Sequence, residues 1–124
     1  FEPDADRSLQ GLQRAADALG PDSRTRFIEA VAAVALGGLQ GAPRAHDPAA
    51  GLQALKAATA TGMMLHDGFL AALSNSGRDA ASRDARCTAF RQLVDVLDGF
   101  EPGQRAAATR YLLSEGLARY GGEF

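Results

Sequence analysis

Residues 27–36 read FIEAVAAVAL, ten residues in which Glu29 carries the only charge. Alanine has the best intrinsic helix propensity, and nothing here alternates in the two-residue rhythm of a strand. At about 100° per residue, Phe27, Val31, Val34 and Ala35 fall on one side of a helix, and Ile28, Ala32 and Leu36 on another. A helix that is apolar on two sides is ordinarily surrounded by others. The segment is therefore predicted to be a central, buried helix, and the fold to be all-α.

Outward from this segment the chain is punctuated as helices. A first helix is expected from Asp4 or Asp6, with Ala5, Leu9, Leu12, Ala16 and Leu19 on one stripe, ending at Gly20-Pro21. Pro21 suits the first turn of the next helix, and Asp22 is favoured there by the helix dipole. Gly37-Gly38 is read as the end of that helix, followed by a loop over 37–47. Asp47-Pro48 is a cap and first-turn pair for a helix through Leu52 and Leu55, which Thr59-Ala60-Thr61-Gly62 is expected to break or fray.

A short helix with Leu65, Phe69, Ala72 and Leu73 follows, with Asp67 as its expected cap. Asp79–Asp98 is the clearest amphipathic segment, with Cys87, Phe90, Leu93, Val94 and Leu97 on one face. Gly99 ends it and Pro102 opens a last helix, where Leu113, Gly116, Leu117 and Tyr120 share a face. Leu19-Gly20-Pro21 with Arg24 is echoed by Phe100-Glu101-Pro102 with Arg105, each predicted to be the elbow of a helical hairpin over its apolar residue. The expected architecture is a compact bundle of five to six helices. Two hairpins would surround the 27–36 helix in a single domain, 1–124.

With 124 residues and 46% hydrophobic content, one domain of this size buries roughly two-thirds of its unfolded surface, so a packed core is expected. A net charge of −2 gives no basic stripe, which argues against a nucleic-acid partner. The longest uncharged run, Ala30 to Pro43, is too short for a bilayer and holds Gly37, Gly38, Gly41 and Pro43. The first residue is Phe1 rather than Met, so any signal peptide or lipid-bearing cysteine is expected upstream of it.

Candidate chemistry is sparse. His66-Asp67 and His46-Asp47 are the acid–imidazole neighbours, but adjacent residues on a helix diverge by about 100° and no nucleophile stands beside them. Asp67 and Asp47 are better read as caps. His46, His66 and Cys87 are too scattered for a structural zinc site, and Cys87 is read as a small core hydrophobe. Asp95, Asp98 and Glu101 share helical spacing but lack an oxygen-rich loop, so they read as a solvated acidic edge. No phosphate loop, nucleophile elbow or His-Glu-x-x-His appears. No catalytic residue, metal or cofactor is predicted. Met63-Met64 is the most suggestive apolar feature, because adaptable methionines recur on binding surfaces, although a pair of methionines more often fills gaps in a core. The candidate binding set is His46, Asp47, Met63, Met64 and His66.

Residues 8–36, SLQGLQRAADALGPDSRTRFIEAVAAVAL, have a Ser-led first helix, a Leu-x-Pro elbow and a Phe-x-x-Ala second helix. In these features they resemble the opening of a family of small bacterial lipoproteins of unknown function. Residues 63–69, MMLHDGF, with the short helix to 73, resemble a later segment of that family without its Gly-Lys-Thr. The resemblance implies an N-terminal lipid anchor upstream of Phe1 and a periplasmic location. Three readings follow: a non-enzymatic interaction module of the cell envelope, such as an immunity protein against a delivered toxin; a small-molecule or metal-binding bundle; and a small enzyme using His66. The first is the primary expectation, and its partner is a protein.

Overall fold

The computed structural model describes residue 6, residues 8–41 and residues 45–120. Six α-helices and no strand occur among them: α1 (Leu9–Asp17), α2 (Pro21–Gln40), α3 (Pro48–Leu65), α4 (Phe69–Leu73), α5 (Ala80–Asp98) and α6 (Pro102–Tyr120). The chain is all-helical, as the alanine content and the absence of alternation predict. It divides into two compact units, one holding the α1–α2 hairpin within Asp4–Ala45 and the other holding the later helices over His46–Arg119.

In the hairpin unit, α1 begins later than Asp4 or Asp6; Asp4 and Ala5 lie outside the described residues. Ser8 is the cap, its hydroxyl oxygen accepting from the Gly11 N–H at 3.0 Å, which satisfies one of the unpaired amides of a first helical turn. The elbow Ala18–Gly20 leads into Pro21 at the start of α2. There the Arg24 guanidinium donates to the Asp17 carbonyl at 2.9 Å and the Leu19 carbonyl at 3.3 Å. The helix does not stop at Gly37-Gly38 but runs to Gln40, and the Gly41 N–H closes on the Gly37 carbonyl. Two interior glycines cost about 1 kcal/mol each relative to alanine, too little to end a helix of this length. The loop expected over 37–47 therefore shrinks at its start, and residues 42–44 lie outside the described residues.

The predicted central role of 27–36 is not realised. No residue of α2 is buried, and Ile28, Val31 and Val34 are more than half exposed. Among the described residues of its unit, the helix that packs on this 20-residue helix is the nine-residue α1, and so short a neighbour cannot cover two faces.

The core belongs instead to the second unit. Ala54 and Ala58 from α3, Phe69 from α4, Ala89, Leu93 and Leu97 from α5, and Ala108 from α6 form one buried cluster. Small side chains let the helix axes close up. Gly51 of α3 meets α6 so tightly that a Cβ there would lie 2.6 Å from the Tyr111 Cβ and 2.7 Å from the Ala107 carbonyl oxygen. Asp47 caps α3 as predicted, its carboxylate accepting from the Ala50 N–H at 3.0 Å. The expected fraying at 59–62 does not occur, and α3 is continuous to Leu65. Thr61 turns its hydroxyl onto the Ala57 carbonyl at 3.1 Å, and Gly62 is occupied by packing.

The α5–α6 elbow reproduces the first one. Arg105 donates to the Asp98 carbonyl at 3.2 Å and to its carboxylate at 2.7 Å. In both elbows the arginine three residues after the proline thus covers a carbonyl seven residues back, at the end of the preceding helix. Phe100 packs against the core under its elbow, whereas Leu19 stays exposed.

Candidate functional site

The sequence GMMLHDGF (62–69) turns α3 into α4. The turn starts from Gly62, which is buried in α3, and a Cβ added there would meet the Phe69 ring at 2.8 Å. Phe69 is 2% exposed and is the largest fully buried side chain among the described residues. His66 ends α3 in extended backbone, its N–H donating to the Gly62 carbonyl at 2.9 Å. Gly68 then adopts φ +72°, a left-handed conformation that side-chain-bearing residues rarely take. Gly68, not Asp67, is the residue that caps α4. Asp67 is exposed, and its predicted capping role passes to the residue that can hold this backbone.

Folding Phe69 beneath α3 leaves the neighbouring apolar side chains outside. Met63 is 51% exposed, Met64 86%, Leu65 65% and Leu70 47%. The two methionines are therefore not gap-fillers of the core. They stand on a corner held by a buried aromatic ring, a helix end and a left-handed glycine. His66 flanks them half-buried, its ring 6.4 Å from that of Phe69 and tilted by 35°.

The other predicted site residues lie elsewhere. His46 and Asp47 precede α3, whereas Met63, Met64 and His66 are at its far end. Eighteen helical residues separate the two groups by about 27 Å at the usual rise. One cleft lined by both histidines is not what the fold builds. His46 is exposed, with Nε2 3.5 Å from the Ser114 Oγ of α6. That hydroxyl is directed to the Tyr111 carbonyl at 2.9 Å, so its proton is not aimed at the imidazole, as a nucleophile–base pair requires. Among the described residues no group of three or more His, Cys, Asp or Glu is placed to hold a metal ion.

Cys87 is exposed rather than in the core. The buried stripe of α5 is Arg86, Ala89, Leu93 and Leu97; it keeps Leu93 and Leu97 of the expected face, while Val94 faces out. Sequence reading missed Arg86. Its Nη1 donates to the Asn75 carbonyl at 2.9 Å and the Gly77 carbonyl at 2.6 Å, tying the α4–α5 loop to α5. The available signal was its spacing of three, seven and eleven residues from Ala89, Leu93 and Leu97, which puts an arginine in line with the core.

No known protein family, curated protein or solved structure matches this chain.

Proposed function

We propose that this protein is a non-enzymatic interaction module that docks a protein partner on the α3–α4 corner. The observation that carries the reading is the exposure of Met63, Met64, Leu65 and Leu70 on a turn whose backbone is locked from beneath by Phe69. Exposed apolar side chains grouped on an ordered surface mark contact sites, and methionine adapts its shape to a partner at low strain. A pre-formed corner also reduces the ordering cost of association.

In its specific form the protein is a periplasmic, lipid-anchored immunity protein whose partner is a delivered antibacterial toxin. Support for that form is the resemblance of residues 8–36 and 63–73 to small bacterial lipoproteins. Among the described residues no helix is long and apolar enough to cross a membrane, and in this form the anchor lies upstream of Phe1.

The test is affinity capture from envelope extracts with the wild type and with Met64→Glu. Met64 is so exposed that the variant is expected to melt within about 0.5 kcal/mol of the wild type. The expected result is one protein retained stoichiometrically by the wild type and lost from Met64→Glu. Equal retention by both, or no retained protein, would refute the corner as a docking site.

A further inference from the structure

We propose that α2 is a homodimer interface, on which a second copy of this chain packs antiparallel about a two-fold axis. Along α2, Ile28, Val31, Ala35 and Gly38 recur at intervals of three, four and three residues, the spacing of a seam between two helices. All four are exposed, Ile28 at 57% and Val31 at 53%.

The order of sizes along the seam identifies the occupant. From the N-terminal end it reads large, large, small, small, and the intervals are the same in both directions. An antiparallel copy centred on Ala33 therefore sets Ile28 over Gly38 and Val31 over Ala35. Each branched side chain fills the space above a small one, as close packing requires. A parallel copy would set Gly38 on Gly38 and leave a void. Gly38 has that space to give, since a Cβ built there meets nothing within 4 Å. Gly51 and Gly62 of α3 are by contrast already spent on contacts with Tyr111 and Phe69.

Charge and area agree with this pairing. Residues 30–40 carry no charge, and Arg26 and Glu29 come level with Gln40 and Gly37 of the second copy, so no like charges meet there. The antiparallel sense also brings the positive end of each helix dipole to the negative end of the other. Phe27, Val34 and Leu39 flank the seam at 38%, 70% and 85% exposure. Covering side chains of this kind removes on the order of 100 Å² each. The two copies together then lose on the order of 1,200 Å², the lower end for a specific pair. The second copy thereby covers the side of this apolar helix that α1 leaves open, and the methionine corner takes no part.

Sedimentation velocity of the full chain, with circular dichroism, tests the proposal. At about 100 µM the wild type is expected to sediment at twice its 12.9 kDa mass, and to dissociate on dilution through the micromolar range. Gly38→Leu closes the space while improving helix propensity. It is expected to weaken the dimer at least about tenfold with helicity retained, and Ile28→Ala to weaken it about tenfold. Combined in one chain, the two substitutions exchange the large and small partners across the seam. Affinity should then return to within about threefold of the wild type, a coupling that general apolar stickiness does not produce. A wild type that stays monomeric, its α2 then open to an unlike partner, would overturn the proposal. So would a Gly38→Leu dimer as tight as the wild type, or a double variant without rescue. A dimer abolished by Met64→Glu would place the contact at the corner instead and overturn it too.

Discussion

Gly62 shows how a single residue can be read two ways. In sequence it follows Thr59-Ala60-Thr61 and looks like a helix breaker; in the fold it is the floor on which the Phe69 ring rests. Its missing side chain serves a contact with a residue seven positions later, which no local propensity records. Gly62→Ala is therefore expected to destabilise despite alanine's better helix propensity. Forcing a methyl into a packed site costs about 1–3 kcal/mol, more than the propensity gain. Urea denaturation would show a lower midpoint at unchanged slope; an equal or higher midpoint would mean that the ring moves aside freely. Arg86 and Cys87 make the same point. They are adjacent in sequence, yet the arginine is buried and the cysteine exposed. Which of two neighbours points inward is decided by the rotation of α5 about its axis.

At the scale of elements, the starts of α2, α3 and α6 at their prolines were legible in sequence, whereas those of α1 and α4 were not. Asp47 and Asp79 each accept the N–H of the residue three positions on, at 3.0 Å and 2.9 Å. Asp79 also accepts the Ser82 hydroxyl at 2.7 Å. That hydroxyl bond, followed by the Ser82 backbone bond, holds the Asp79 carboxyl below the usual carboxylate range. A depressed carboxyl contributes stability that is fully present above the unfolded value of about 3.9, and that is lost as pH falls through the folded value. The first turn of α5 should accordingly loosen in acid. Amide exchange at Ser82 should accelerate below about pH 3.9 in the wild type, with a much weaker step in Asp79→Asn, whose amide oxygen does not titrate. An acid step of the same size in both proteins would remove Asp79 as its cause. The paired elbows were also readable, because proline, an apolar residue and an arginine recur at the same offsets. Their shared use of Arg24 and Arg105 on a preceding carbonyl became visible only in three dimensions.

For the whole molecule, the distribution of the core leads to a prediction about folding. Every residue of the buried cluster lies between Ala54 and Ala108, whereas α2 buries none. A chain of residues 46–120 is expected to unfold cooperatively and to melt within a few degrees of the full protein. Residues 8–41 alone are expected to be largely unfolded, because an unsupported hairpin of this length gains little from propensity. Calorimetry of the two segments checks this. Loss of cooperative melting in 46–120 would mean that the hairpin supplies stability to the second unit.

The sequence by itself determined the helical class of the chain, its proline elbows and the cap at Asp47, because these depend on residues within one turn of each other. It also singled out Met63 and Met64 as unusual, though not where they point. Tertiary structure decided which helices form the core. The strongly apolar 27–36 segment lost that place to the alanine faces of α3, α5 and α6. Burial depends on how closely a partner can approach, and small side chains on several helices allow closer approach than larger ones on a helix with a short neighbour. The same packing left the methionine corner outside and set Arg86 in the wall of a cavity. Both features arise from contacts distant in sequence.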